Sequence, residues 1–413
     1  MIQEIFFYLI IIFNLYIVIE LFLSFIIIFV RKKFQWLIVS KFDKKPHLFN
    51  SGLEKFIHQG FDPKLGWSRK PNTHKEEQGK NGTTNWNINS KGCRVNPHYD
   101  EKDSFISCYG DSFTFCRQVN DDETWEHYLS NLENSNVKNF GVGNYGLDQS
   151  FLRLQKEFPK NKTKIVILAV VPDTICRIMS SWKHYYEYGN TFAFKPIFQL
   201  INYELKLIDN PINEQSKFEI YEKYLEEIQK TDYFYKNKFL KEILYFPYVL
   251  TLFKNPRRNF SIIYWVLKIE IFKKLRKNIS LIEWEPMKII MRINLDWRIK
   301  LFQNNQATNL LEKILMEYVN FASKNNFIPI FTFLPQKDDL NYIRQKNNFF
   351  YDIEKKLTNI NGLNVIPITE ILLSKYEFDK LYSDDNDYGG HFSKEGNKLI
   401  ADIIHEFLGS ISK

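Results

Sequence analysis

The sequence predicts an α/β fold in which helices cover both faces of an open parallel sheet. Two observations carry this prediction: several short runs are apolar at nearly every position, and amphipathic helical patterns lie between them. Strands that are buried on both faces have this uninterrupted apolar character. The predicted strands lie at residues 104–109, 137–140, 164–171, 327–333 and 364–367. The predicted helices lie at residues 113–131, 148–158, 310–322 and 393–408, and Gly409 is placed to cap the last one.

The composition allows one enlarged domain or a domain with an insert. The chain has 413 residues, 44% of them hydrophobic, which is enough to bury at least one sizeable core. Its formal charge of +8 suits nucleic acid or an anionic membrane surface. No nucleic-acid-binding motif accompanies the charge, so we expect no nucleic-acid partner. The cysteines match no zinc or redox spacing, so we expect no metal and no organic cofactor. We predict buried free thiols at Cys93, Cys108, Cys116 and Cys176.

Residues 1–33 contain a predicted transmembrane helix. From Ile5 to Val30 the sequence is almost wholly apolar, with Asn14 and Glu20 interrupting it. A helix of this length crosses a hydrocarbon core about 30 Å thick. A cleavable signal peptide begins with basic residues and ends in small ones, and this segment has neither feature. We therefore expect a single-pass membrane anchor that is retained.

Positive charge follows the predicted anchor and predicts its orientation. The basic side chains are Arg31, Lys32, Lys33, Lys41, Lys44 and Lys45. Because such clusters stay on the cytoplasmic side, the body of the protein is expected in the cytoplasm. Placing the ionisable side chain of Glu20 within a bilayer costs free energy, and two explanations for its position are open. It either faces a protein partner or a polar cavity, or it lies near enough to one end of the helix to reach the interface.

The remainder divides into a connector and one larger domain. Residues 34–103 form the connector, much of it rich in Asn, Gly, Lys and Thr, which predicts loops and short strands. Residues 104–413 carry the α/β alternation, which long helical segments interrupt at about residues 185–306. We interpret these segments as a helical insert. Its stretch 260–277 is apolar and aromatic with basic flanks, which favours a packed helix with a basic solvent face and leaves contact with a membrane interface as the alternative.

Ser112 is the candidate nucleophile because of its position. It ends the motif Gly110-Asp111-Ser112, which directly follows a predicted strand and opens a predicted helix. Ligands bind outside the carboxyl ends of the strands in an open parallel sheet, so this hydroxyl is expected at the functional edge. A helix N-terminus there would also favour developing negative charge. The alternative is that Ser112 only caps the helix, as serine often does.

A second motif, near the C-terminus, supplies a candidate base. His391 lies in a loop that Gly389 and Gly390 are expected to make flexible, directly before the last predicted helix. The acidic residues that precede it are Asp384, Asp385 and Asp387. A histidine with an acid shortly before it provides a general base and a group that orients the imidazole. Together with the Gly-Asp-Ser motif, this pairing predicts a Ser-His-Asp site.

These motifs, with a third between them, resemble the SGNH/GDSL hydrolase family. The third is the glycine-rich block from Asn139 to Gly146 after the second predicted strand. The resemblance spans about residues 104–408 and leaves the helical insert unmatched. It implies a flavodoxin-like three-layer sandwich and a carboxylic ester hydrolase, in which Ser112 attacks the carbonyl, His391 takes the proton and Asp387 holds the imidazole. The alternatives for that last role are Asp385, Asp384 and a backbone carbonyl.

The same resemblance implies an oxyanion hole whose third donor this chain lacks. Donors are expected from the backbone of Ser112 and from the block Asn139–Gly146, here called the second block, at Gly143 or Asn144. An Asn side chain is expected in a third block after the central strand, where the chain instead reads Pro172-Asp173-Thr174. An ionised Asp cannot donate, so either activity is low or another group substitutes. The candidate substitutes are Asn144, Thr174 and Arg177, and Asp173 itself is either a third-block residue or a helix cap.

The function that the resemblance implies is a serine esterase or acyl transferase working through an acyl-Ser intermediate. The expected substrate is an acylated carbohydrate or a lipid-linked glycan, because membrane-tied relatives often add or remove acetyl groups on glycans. A cytoplasmic location would favour the lipid-linked precursor. The alternative is a catalytically weakened, membrane-associated protein that binds glycans or takes part in their assembly, which the missing third donor supports.

Overall fold

The computed structural model describes residues 2–33, 37–48, 51–79, 82–375, 377–384 and 390–411. The chain forms two compact units, which are described separately. The first comprises Met1–Phe49, Trp182–Ala193 and Phe218–Asn294, and the second comprises Asn50–Ser181, Phe194–Lys217 and Leu295–Lys413.

The helices and strands of the described residues are numbered in chain order. The helices are α1 (Ile2–Lys33), α2 (Ser51–Gln59), α3 (Trp125–Glu133), α4 (Leu147–Glu157), α5 (Thr174–Arg177), α6 (Lys183–Tyr186), α7 (Leu225–Thr231), α8 (Leu240–Glu242), α9 (Tyr248–Leu252), α10 (Pro256–Lys274), α11 (Glu285–Phe302), α12 (Asn305–Asn325), α13 (Lys337–Gln345), α14 (Tyr351–Leu357), α15 (Ile368–Lys375) and α16 (Lys394–Ile411). The strands are β1 (Phe61–Asp62), β2 (Gly66–Trp67), β3 (Thr73–Gly79), β4 (Gly82–Ile88), β5 (Ile106–Gly110), β6 (Val137–Asn139), β7 (Ile165–Val170), β8 (Ile197–Ile201), β9 (Glu204–Ile208), β10 (Ile328–Phe333) and β11 (Asn364–Ile366).

The second unit is built on a five-stranded sheet in which all neighbouring strands are parallel. Its strand order is β11-β10-β7-β5-β6. The first of these strands along the chain, β5, therefore lies between the second and the third, which is the flavodoxin-like order. Each strand falls on one of the five predicted apolar runs, so the predicted parallel α/β sheet is confirmed. The pairs β1-β2, β3-β4 and β8-β9 form antiparallel hairpins.

Helices cover both faces of this sheet and make it the middle of three layers. On one face α3, α15 and α16 pack against it, with Trp125, Leu129 and Ile400 buried in the shared core. On the other face lie α4 and α12, and the Tyr318 hydroxyl of α12 donates to the Val166 carbonyl of β7 at 2.7 Å. Burial of apolar surface between these layers is the main term that stabilises them. The predicted three-layer sandwich is confirmed.

The loop after β5 differs from its prediction. The sequence predicts a helix from residue 113, but residues 112–118 form turns and α3 begins only at Trp125. Side chains from elsewhere explain the difference, because Arg94 donates to three backbone carbonyls of the loop and Asn139 donates to a fourth. The four carbonyls belong to Thr114, Phe115, Cys116 and Val119. A helix would have paired such carbonyls with later backbone amides, and here they are already bonded.

Two smaller predictions have opposite outcomes. Gly409 does not end α16, which continues to Ile411. Nothing lies within 4 Å of where a Cβ on Gly409 would be, so no close contact calls for glycine there. The four cysteines are buried free thiols, as predicted.

The first unit contains α1, the one helix in the described part of the chain that is long and apolar enough to cross a membrane. Within its segment Gln3–Lys33, a stretch of 18 residues reaches a mean hydropathy of 2.6. Glu20 is buried, and its carboxylate accepts the backbone N–H groups of Tyr248 and Val249 at the start of α9. Of the two explanations for Glu20, the structure supports contact with protein, and the contact is with α9 of the same chain. The second half of α1 packs on α9 and α10 through a shared apolar core, as predicted for one face of residues 260–277.

Candidate active site

Two glycines allow the loops after β5 and β6 to pack closely at the carboxyl edge of the sheet. A Cβ on Gly110 would lie 1.9 Å from the Ala169 carbonyl oxygen. A Cβ on Gly141 would lie 2.2 Å from the Phe115 backbone nitrogen. No side chain fits such spaces in a close-packed interior. Close packing, rather than an unusual backbone conformation, is therefore the reason for glycine in both motifs.

Asp111 fixes the turn that presents Ser112. Its buried carboxylate accepts the backbone N–H groups of Phe113 and Val171, both at 2.8 Å, and lies 3.3 Å from the guanidinium of Arg177. Burial raises the pKa of Asp111, and the Arg177 charge and the two N–H bonds oppose that rise. The acid of the Gly-Asp-Ser motif is thus structural, and Ser112 beside it remains partly exposed.

The structure brings His391 to the turns at residues 112–118, which carry Ser112 and are here called the nucleophile loop. Ser383 donates its backbone N–H to the His391 carbonyl at 2.8 Å, within a short antiparallel bridge that holds the residues before α16. The imidazole centre lies 4.8 Å from the ring centre of Phe113, the neighbour of Ser112. Within the described residues no hydrogen bond joins the Ser112 hydroxyl to the imidazole. Such bonds are often long in unliganded enzymes and tighten when substrate binds.

Gln118 contacts the inner nitrogen of His391. Its side-chain oxygen lies 2.9 Å from Nδ1 of His391, 2.9 Å from the His391 backbone nitrogen and 2.9 Å from the Ser383 hydroxyl. A backbone N–H only donates, so the Gln118 atom that faces it must be the oxygen and not the amide nitrogen. The same oxygen then requires a hydrogen on Nδ1, which leaves Nε2 with its lone pair. A proton-accepting Nε2 is what a general base needs.

The predicted orienting acid lies outside the described residues. This applies to Asp387 and to its alternative Asp385. Asp384 is described, and its carboxylate lies 2.6 Å from the position of a Cβ on Gly390. Gly390 has a left-handed φ of 66°. The loop directly before His391 therefore requires glycine for two reasons, the backbone conformation and the close carboxylate.

The surroundings of His391 keep its imidazole neutral. The pKa of His391 is lowered to about 3, chiefly by burial and then by the positive charges of Arg117 and Arg177, while Glu77 opposes them. Arg117 and Glu77 also pair with each other at 3.0 Å. A neutral imidazole is the form that accepts a serine proton. The same surroundings make the imidazolium that forms during proton transfer less stable.

The second block offers backbone N–H groups at two accessible positions, Gly143 and Asn144. Asn144 has a left-handed φ of 67°, which asparagine tolerates better than most residues. The Gly143 carbonyl accepts the indole N–H of Trp67 at 3.0 Å.

Sequence reasoning missed Arg69, whose Nη2 atom lies 4.0 Å from the position of a Cβ on Gly143. Its guanidinium lies over the rings of Trp86 in β4 and of Phe115 in the loop after β5, and burial lowers its pKa to about 10.

An ion pair occupies the third block. Asp173 accepts from Nε of Arg177 at 2.8 Å, and Nη1 of Arg177 donates to the Tyr145 carbonyl at 2.9 Å. Arg177 therefore ties the second and third blocks together. The Asp173 side chain makes no capping bond at the start of α5, so the helix-cap interpretation is wrong. The Thr174 hydroxyl accepts the backbone N–H of Leu147 at 2.7 Å, which assigns its oxygen to the start of α4.

No family model and no curated protein matches this chain. Solved structures that resemble it include a lipolytic protein of the G-D-S-L family from Desulfitobacterium hafniense DCB-2, a lipase/acylhydrolase from Enterococcus faecalis and the acetyl xylan esterase AlAXEase. Their sequence identities are 14%, 12% and 10%, with TM-scores of 0.33, 0.34 and 0.34. The alignments cover 74%, 74% and 72% of this chain and 99%, 95% and 96% of those structures. Likeness at this TM-score does not decide function, which depends here on the site itself.

Proposed function

We propose that this chain is a serine ester hydrolase or acyl transferase with Ser112 as nucleophile and His391 as general base. The observation that carries the proposal is the contact of Gln118 with Nδ1, because it leaves Nε2 as proton acceptor on a ring that packs against Phe113. Nε2 takes the Ser112 proton as the hydroxyl oxygen attacks the ester carbonyl. The imidazolium then returns this proton to the departing alcohol, and water or an acceptor alcohol cleaves the acyl-Ser intermediate.

In this mechanism Gln118 has the orienting role that the family resemblance gives to Asp387. A neutral amide holds the required tautomer, but it does not stabilise the imidazolium by charge as a carboxylate does. The low pKa of His391 agrees with such an arrangement. The role of Asp387 remains a prediction.

The negative charge that develops on the carbonyl oxygen has two kinds of support in this mechanism. Backbone N–H groups of Ser112 and of Gly143 or Asn144 are the direct donors. The guanidinium of Arg69 adds positive charge near the second block, whereas that of Arg177 is paired with Asp173 and Asp111. This charge partly offsets the absent third-block donor, whose loss typically costs about 10²–10³ in kcat.

We infer that the substrate is an acylated carbohydrate or lipid-linked glycan with an anionic group near the ester. A groove of about 530 Å³ is lined by Arg69, which links it to the second block. The other charged residues that line it are Lys70, Lys91, Arg153, Lys156, Lys160, Asp62 and Glu157. The excess of positive charge favours a sugar that carries a carboxylate or a phosphate.

We also propose that α1 anchors the chain in a membrane and that the rest lies in the cytoplasm. The length and hydropathy of α1 support the anchor, and the basic residues at its end, Arg31, Lys32 and Lys33, support the orientation. An enzyme placed there meets lipid-linked glycan precursors rather than finished surface polysaccharide.

A chromogenic acetyl ester tests the enzyme proposal on the full-length protein in detergent. We expect hydrolysis by the wild type and a loss of about 10³-fold or more in Ser112→Ala. Ser104→Ala is the matched control, because the Ser104 hydroxyl donates only to the Ile106 carbonyl, at 3.0 Å, and its activity should be unchanged. Turnover that persists in Ser112→Ala would refute the proposal.

The second candidate is a membrane-associated protein that binds glycans or takes part in their assembly without turnover. The observation that favours it is Asp173, which stands where a side-chain donor is expected and cannot donate. Glycan binding without ester hydrolysis, equal in the wild type and in Ser112→Ala, would select this candidate.

A further inference from the structure

The first half of α1 is bare, and one face of its second half is covered. Almost every side chain from residue 3 to residue 19 is exposed, whereas Glu20, Ile26, Ile27 and Val30 are buried. The bare segment is roughly 25 Å long at about 1.5 Å per residue. A hydrocarbon core is about 30 Å thick. The elements that cover α1 from Glu20 onward therefore lie where this helix leaves the hydrocarbon core, or within it.

α9 and α10 are the elements that cover it. Glu20 accepts the backbone N–H groups of Tyr248 and, at 3.0 Å, of Val249, so it caps α9, which has no capping side chain of its own. Leu252 of α9 and Ile262 of α10 share one buried apolar cluster with the second half of α1. A carboxylate that satisfies two backbone N–H groups does so without water, which suits a site next to hydrocarbon.

The exposed surface of α9, α10 and their flanking residues carries many apolar and aromatic side chains beside its basic ones. The large apolar side chains that are more than half exposed are Phe246, Leu250, Phe253, Tyr264, Ile271 and Leu275. The ammonium of Lys268 lies 5.4 Å from the ring centre of Tyr264 and 4.6 Å from that of Trp265. A soluble surface rarely exposes this many large apolar side chains on neighbouring elements. Aromatic rings with lysines beside them are typical of helices in a membrane interface.

We propose that these exposed residues, here called the insert surface, form a second membrane contact in the headgroup and outer hydrocarbon region beside α1. The insert surface continues the lipid-facing side of α1, because Glu20 and the shared apolar cluster hold α9 and α10 on that helix. The basic residues of α10 and its two ends favour anionic lipids. They are Arg257, Lys268, Lys273, Lys274, Arg276 and Lys277. This contact does not depend on whether the chain hydrolyses esters.

Fluorescence quenching in vesicles tests the contact with the full-length protein. The variants Leu250→Cys and Phe253→Cys are each labelled with an environment-sensitive dye and placed in vesicles of phosphatidylcholine and phosphatidylglycerol that carry a nitroxide quencher near the headgroup. The native cysteines are buried and therefore label slowly. Leu9→Cys, on the bare part of α1, is the lipid control, and Glu226→Cys, on the exposed side of α7, is the water control.

We expect the dyes at Leu250→Cys and Phe253→Cys to be blue-shifted and quenched about as strongly as the dye at Leu9→Cys, while the dye at Glu226→Cys stays unquenched. Dyes at both insert positions that behave like the water control, with Leu9→Cys quenched, would overturn the proposal. An unquenched Leu9→Cys would also overturn it, because α1 would then not lie in lipid.

Discussion

Replacing Gln118 by Glu tests how His391 is held, because the substitution keeps the side-chain shape and adds a charge. Two opposite charges about 4 Å apart attract by about 4 kcal/mol at an effective dielectric constant of about 20. That energy corresponds to a rise of about 3 in the pKa of His391. The wild-type value of about 3 would therefore move to about 6 in Gln118→Glu. The carboxylate of Glu77 favours this rise, whereas Arg117 and Arg177 oppose it.

The assay is the pH dependence of kcat/KM with the acetyl ester, since only a neutral imidazole accepts the Ser112 proton. A raised pKa moves the loss of base to higher pH. The wild type should keep its activity down to about pH 5, and Gln118→Glu should lose about tenfold between about pH 8 and pH 5. Ser383→Ala is the control, because it removes one bond to Gln118 without adding charge. Coincident profiles of the wild type and Gln118→Glu would refute the reasoning, as would nitrogen NMR that places the imidazole hydrogen on Nε2 in the wild type.

Four further substitutions test stability and binding. Gly110→Ala should lower the free energy of unfolding by about 2–3 kcal/mol, since the added methyl would meet the Ala169 carbonyl. Gly409→Ala in α16 should raise the free energy of unfolding by about 0.5–1 kcal/mol. Chemical denaturation of both variants measures the two changes, and a destabilised Gly409→Ala would contradict the second prediction. Burial raises the pKa of Glu354 to about 8, above its ordinary value of 4.5. Between these pH values the folded chain therefore keeps a proton that the unfolded chain releases. The free energy of unfolding falls as pH rises through this range. Glu354→Gln should remove this loss, about 3 kcal/mol at about pH 7, and melting curves from about pH 5 to pH 8 that keep the wild-type slope would exclude the explanation. Arg69→Met should raise KM about tenfold for an ester that carries a carboxylate and leave it unchanged for a neutral ester; equal effects on both esters would remove Arg69 from recognition.

The strands and the position of Ser112 could be predicted because their signals are local in the sequence. Five apolar runs correspond to the five strands of the sheet, and Ser112 directly follows the first of them. The turn that carries Ser112 could not be predicted as a turn. Its carbonyls bond to Arg94 and Asn139, which come from other parts of the chain, and these bonds displace the helix that local propensity favours.

The support of His391 could not be predicted either. Gln118 lies 273 residues before His391, and no spacing or motif connects the two. The same holds for Arg69, which reaches the second block only through the folded loops. Family resemblance directs attention to acids just upstream of the histidine, whereas the contact in the described residues comes from the nucleophile loop itself.

The most direct test of Ser112 as nucleophile is to trap it covalently. Full-length wild-type protein is treated with a fluorophosphonate probe, and the modified residue is identified by mass spectrometry of its peptides. We predict a single adduct on Ser112 that disappears in Ser112→Ala, falls sharply in His391→Ala and persists in Ser104→Ala. A wild-type chain that takes up no probe, or an adduct on any other residue, would contradict the assignment.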